Sequence, residues 1–182
     1  MPSPIRVELL PHDPAWAATA RAEQAVLGQV LGDGLLAVHH IGSTAIPGIH
    51  AKPIIDLMPV VRELALLDAR RADLEALGYR YWGELGLPGR RYFSKDDPRD
   101  GKRQVQLHGY AQGAPDIARH LAFRDHLLRH PDVAADYDRE KQRCRRLHPD
   151  DSHAYGDCKS DWVKTIETRA LAEAGTANHS KE

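Results

Sequence analysis

Apolar and polar positions alternate over residues 6–10, which predicts a short strand. Asp13-Pro14 then sets up a helix start, with the aspartate placed to accept unpaired amides and proline at the first helical position. Trp16, Ala20, Val26, Val30 and Leu31 fall near one face of that helix, and Gly32 and Gly34 end it. Residues 35–41 and 54–61 are apolar runs on either side of a Gly-Ser turn. They predict two strands, the second suited to the middle of a sheet. Residues 62–77 carry leucines at helical spacing (Leu64, Leu67, Leu74, Leu77) before Gly78. Three strands follow, at residues 79–82, 91–94 and 105–108, parted by Gly-rich and Asp-rich loops. From Pro115 to about residue 174 the pattern is helical, with breaks expected at His130-Pro131 and His148-Pro149, because a residue before proline avoids the helical region. Residues 176–182 are polar and expected to form a disordered tail.

Strands followed by helices predict an α+β fold, with one domain over residues 1–175 whose helical part spans about 115–174. A chain of 182 residues can bury roughly 70% of its unfolded surface, so it folds without a metal or disulfide. Its 25 basic and 26 acidic side chains give a formal charge of −1, which argues against nucleic acid or an anionic membrane as partner. Cys144 and Cys158 are far apart and form no Cys-x-x-Cys pair, so both are expected to be inert helical thiols in a reducing cytoplasm. Neither a signal peptide nor an apolar span long enough for a membrane is legible.

The candidate chemistry lies between His40 and Asp56. A strand running into Gly42-Ser43 offers backbone amides, a hydroxyl and no bulk, so phosphate oxygens can approach closely. Asp56, on the next strand, is then placed to hold a divalent cation against those phosphates. The Gly-Ser turn with hydrophobic-Asp-hydrophobic behind it resembles the signature of the polymerase-β-type nucleotidyltransferases. There the turn contacts nucleotide phosphates, and the Asp binds metal with a second acid two positions on. Here that second position is Met58, which cannot ligate Mg²⁺.

A finer resemblance is to the GrpB family, also found fused to dephospho-CoA kinase. His40-Ile41-Gly42-Ser43-Thr44, Pro47-Gly48 and Ala51-Lys52-Pro53-Ile54-Ile55-Asp56 match its hallmark. Arg91-Tyr92-Phe93, Gln106-Leu107-His108, Phe123-Arg124-Asp125, and the pairs Tyr137 with Lys141 and Tyr155 with Lys159 resemble its later segments, so the likeness covers roughly residues 5–172. It implies a nucleotidyltransferase-like mixed sheet with flanking helices and a C-terminal helical segment.

The resemblance also implies roles. Asp56 is the expected catalytic and metal-binding residue, with Mg²⁺ as cofactor. Gly42, Ser43, Thr44, Lys52, Arg91, Arg124 and Lys159 are the expected nucleotide or phosphate contacts, and His40 and His108 the expected substrate contacts. Each has a plainer alternative. The basic residues, Lys141 among them, can pair with Asp125, Glu140 or Asp157 on solvated helix faces, and the histidines can be satisfied structural groups. No zinc site is expected, because no ligand pair shows a recognised spacing. Two functions remain open: an enzyme transferring a nucleotidyl or phosphoryl group to a small acceptor, or a ligand-binding or regulatory module of the same fold.

Overall fold

The structure is a computed structural model that describes residues 3–179. The elements, in chain order, are α1 (Ala15–Leu31), β1 (Leu35–Ile41), β2 (Ile55–Val61), α2 (Ala65–Ala69), α3 (Arg71–Ala76), β3 (Tyr79–Tyr81), β4 (Arg90–Asp96), β5 (Arg103–Ala111), α4 (Pro115–Arg129), α5 (Pro131–Leu147) and α6 (Ser152–His179). This is the expected α+β arrangement: a mixed sheet, flanking helices and a C-terminal helical segment. No described helix is long and apolar enough to cross a membrane.

The sheet order is β1-β2-β5-β4-β3, with β2 and β5 parallel and the other neighbours antiparallel. Side chains alternate across it, as the two-residue period requires. Leu57 and Leu107 point to the face covered by α1, α2 and α3, where they pack with Trp16, Leu27, Leu31, Leu67, Leu74 and Phe93. Met58, Val60 and Tyr110 point to the opposite face, together with Ile41 and against Ile117 and Leu121 of α4. β2 is thus buried on both sides, which is why its sequence is an almost unbroken apolar run. A third cluster joins the helices to the turn after β1, through Ile46, Ile49, Leu127, Ala134, Tyr137 and Ile166.

Helix ends follow local chemistry. Asp13 accepts the Ala15 amide at 2.8 Å, and Pro115 and Pro131 open α4 and α5. The buried stripe of α1 is Trp16, Ala20, Leu27 and Leu31; Leu27 takes the inward place that the sequence pattern gives to Val26.

Four expectations are corrected. Residues 6–10 form no strand: Val7 donates to Pro149 at 2.8 Å and Ser152 donates to Ile5 at 3.0 Å, so the segment runs along the α5–α6 corner and meets only Ala51 by a single bridge at Leu10. Residues 62–77 make two short helices, because Arg70 sits at φ −91° and ψ 8° between them. Cys144 and Cys158 are not separate thiols but a disulfide, with Cα atoms 5.8 Å apart. They meet because α5 and α6 fold back on each other through a short corner. Finally, α6 continues as helix to His179, and residues 180–182 of the expected tail lie outside the described residues.

Candidate functional site

The turn after β1 carries the tightest steric requirement in the site. Gly42 has φ +72°, and a Cβ there would stand 2.6 Å from Asp56 Oδ2. Only glycine lets the turn lie this close to the carboxylate. Thr44 is buried; its hydroxyl lies 2.8 Å from His40 Nε2 and donates to the Ile54 carbonyl at 3.5 Å. His40 and Thr44 therefore fasten the turn from behind.

Asp56 stands on β2 beside Gln106 of β5 in the parallel register. Its Oδ1 lies 3.1 Å from His108 Nε2. The other His108 nitrogen, Nδ1, is buried with no partner among the described residues. Through this contact His108 fixes the orientation of Asp56. Beside it, burial and then the nearby His108 hold His120 down to about 3, so this second ring is neutral.

Above the turn and the carboxylate, α5 and α6 wall one side of an open cavity of about 250 Å³. The turn contributes Gly42, Ser43 and Thr44; the sheet side contributes Lys52, Asp56 and Gln106; α5 gives Tyr137 and Lys141, and α6 gives Tyr155 and Lys159. Tyr and Lys at a spacing of four share a helix face, so each Tyr-x3-Lys pair delivers both residues to the cavity. Asp56 is the one carboxylate among the described lining residues, against three lysines.

The lysines are held in place. Lys141 is 1% exposed; it donates to the His50 carbonyl and lies 3.7 Å from Asp138. Asp138 in turn takes the His50 amide and Nδ1 at 2.8 and 2.9 Å. Lys159 donates to the Tyr137 hydroxyl at 3.5 Å, and Lys52 and Lys159 each lie 5.7 Å from the Tyr155 ring centre. Burial lowers the Lys141 ammonium to about 8, with Asp138 opposing and Lys159 adding to the shift. Burial also lowers Lys52; Asp56 partly offsets this, while Lys159 and Arg103 add to it. Burial pushes the Tyr155 hydroxyl well up, so it stays neutral.

Of the expected site residues, Gly42, Ser43, Thr44, Lys52, Asp56 and Lys159 line one cavity. His40 and His108 stand behind it. Arg91 is elsewhere: it is bound to Asp68 through Nε and Nη2 at 2.6 and 2.8 Å, toward α2. Arg124 pairs with Asp125 at 2.7 Å and donates to the His40 carbonyl at 3.2 Å, outside the cavity lining. Met58 is 0% exposed among Ile41, Val60 and Tyr110, so the place of a second acid is filled by core. Gln106, Ser152 and Phe123 line the cavity without having been singled out as contacts; Gln106 carried a signal, being two residues before His108 on the same strand.

Any anion taken up by this cavity is expected to bind in a pH-dependent way. A bound phosphate favours the charged form of Lys141, which the free protein loses above about 8. Above that pH, binding must take up a proton. Affinity for inorganic triphosphate is therefore expected to fall by up to about tenfold per pH unit on going above it, by isothermal titration. A flat profile from pH 7 to 10 would remove Lys141 from the binding set. Folding has a related dependence. A lysine lowered in the folded state opposes folding at neutral pH, and that penalty lifts as pH rises from about 8 toward 10.5.

Residues 6–169 match the family described as GrpB protein. UPF0157 protein YqkA of Bacillus subtilis is 41% identical over 91% of this chain and 47% of its own length; the chain thus spans about half of that relative. A dephospho-CoA kinase of Mycolicibacterium paratuberculosis is 31% identical over 90% of this chain and 46% of its own length. GrpB from Enterococcus faecalis superposes with a TM-score of 0.86 at 38% identity, covering 92% of this chain and 99% of that one. The chain belongs to the GrpB family.

Proposed function

We propose that this protein binds a nucleotide or related phosphorylated ligand in the Lys52–Lys141–Lys159 cavity, and transfers a nucleotidyl or phosphoryl group from it to a small acceptor. The observation that carries this reading is the charge arrangement: three lysines and a Gly-Ser-Thr turn gathered around one carboxylate in a single cleft. The cavity is small for a whole nucleotide, whose sites usually run to roughly 300–1,000 Å³. It suits the polyphosphate, with the rest of the ligand and the acceptor in the adjoining groove of about 550 Å³ that shares Lys52 and Ile54.

The donor set fits one Mg²⁺ and not two. Asp56 supplies a single carboxylate, Gln106 an amide beside it, and Met58 nothing. One protein carboxylate suffices when phosphates and waters complete the octahedron. When bound, Mg²⁺ would neutralise charge on phosphoryl oxygens. The chain itself would hold the phosphates with its lysines, keep Asp56 aimed through His108, and exclude water with Tyr137 and Tyr155.

Thermal unfolding in the presence of nucleotides and phosphorylated cofactors, with and without Mg²⁺, tests the reading. A ligand at a hundred times its dissociation constant is expected to stabilise the fold by about 2.7 kcal/mol. No Mg²⁺-dependent shift with any triphosphate would sink the metal-assisted part.

A second reading, a binding or regulatory module without turnover, is favoured by the burial of Met58 in the core. A cytoplasmic location is part of the proposal, although the cysteine count no longer supports it now that the two are paired.

A further inference from the structure

The helical segment brings together three side chains that the proposed function leaves unused. His126 stands in the last turn of α4, His130 one turn on at the α4–α5 junction, and Glu173 far along α6. The spacing of four places both imidazoles on one side, with ring centres 4.3 Å apart. Glu173 reaches both: Oε2 lies 2.5 Å from His126 Nδ1, and Oε1 lies 3.3 Å from His130 Nε2. One ligand atom from each residue lies within 4.8 Å of the others. His126 is 4% exposed, and its Nε2 has no partner among the described residues. A buried imidazole is thus held in this cluster by Glu173 alone, whereas His130 and Glu173 are partly open to solvent.

We propose that His126, His130 and Glu173 form a binding site for a divalent transition cation of the zinc class. Two imidazoles and a carboxylate make a donor set that such ions prefer, with the fourth position left to water. Tetrahedral bonds of about 2.0–2.2 Å require donor atoms roughly 3.3–3.5 Å apart. The observed 2.5 and 3.3 Å, within the 4.8 Å limit, are reached from there by small side-chain rotations. Arg129, 3.3 Å from Glu173 Oε1 and half exposed, is the cation the metal would displace. The ion would tie the end of α4 to the far part of α6, away from Asp56.

The test uses the full chain without a histidine tag, stripped with chelator and titrated with Zn²⁺, and with Co²⁺ for its visible absorption. Uptake of one equivalent per chain, a raised unfolding temperature, and the ligand-field bands of a low-coordinate cobalt ion are expected. Glu173→Gln and His130→Ala change partly exposed residues and should abolish all three effects, whereas Asp56→Asn should keep them. Absence of stoichiometric uptake by the wild-type chain would overturn the assignment. So would uptake that survives both helix variants, or uptake that disappears with Asp56→Asn alone.

Discussion

Asp56→Asn is expected to lower Mg²⁺-dependent group transfer at least about a hundredfold and, in the same protein, to strengthen metal-free binding of inorganic triphosphate. The two effects have opposite signs because Asp56 is the one carboxylate among the described residues lining a cavity of three lysines. Toward a bare phosphate it is a like charge. At about 4 Å that repulsion amounts to roughly 1 kcal/mol in water and roughly 4 kcal/mol in a partly buried setting, so its removal should tighten metal-free binding at least about fivefold. Toward a metal–phosphate complex Asp56 would be the protein's anchor, with no second acid behind it, since Met58 is packed in the core. Asparagine keeps the shape: its Oδ1 can still accept from His108 Nε2, now 3.1 Å from the carboxylate. Removing the charge also withdraws what partly offsets the lowering of Lys52, so the variant's Lys52 gives up its proton earlier and part of the gain should be lost on the alkaline side. Titrations with and without Mg²⁺ on the wild type and the variant separate the readings. Equal Mg²⁺ dependence in both proteins would take the metal away from Asp56. A tighter metal-free complex with no wild-type turnover would leave the binding module standing.

The parts legible in the sequence were those governed by short-range rules. Gly42-Ser43 directly follow β1 and Asp56 stands on β2, paired across to Ile41, so the motif alone placed the carboxylate against the turn, at the close approach that a Cβ on Gly42 would block. The Tyr-x3-Lys pairs were equally local, because helical spacing by itself puts Tyr137 with Lys141 and Tyr155 with Lys159. What the sequence could not supply was the choice of partner among equals. Arg91 and Lys159 both looked fit for phosphate. The two-residue period of β4 turned Arg91 toward Asp68 on the other side of the sheet, and that depends on the β4–β5 register. The same holds for residues 6–10, whose alternation suits a strand but whose amides found the α5–α6 corner instead. His126 and His130 stood in the sequence at helical spacing, yet their carboxylate, Glu173, comes from a different helix.

The cysteine pair was missed for that reason too, and it carries the largest expected effect on stability. Cys144→Ala with Cys158→Ala, or reduction of the wild-type chain, is expected to lower stability by about 3 kcal/mol, since the bond closes a loop of 14 residues. For a domain of this size that corresponds to roughly 6–12 °C in unfolding temperature, a sizeable share of the 5–15 kcal/mol that usually holds a domain together. The placement of the bond extends the effect to ligand binding. Cys144 lies one turn beyond Lys141 on α5, and Cys158 adjoins Lys159 on α6, so the bridge ties the two helices within one turn of two of the three cavity lysines. Without it, α5 and α6 are joined by side-chain packing, with Tyr137 stacked on Trp162 at ring centres 5.0 Å apart and Ala134 in the same cluster as Ile166. Triphosphate affinity should therefore fall together with unfolding temperature, and reductant should change neither in the double variant. Thiol titration of the unfolded chain without reductant is the direct check. Two reactive thiols per chain would show that the bond does not form, and an unchanged unfolding temperature on reduction would show that the helices need no covalent tie to keep the lysines in register.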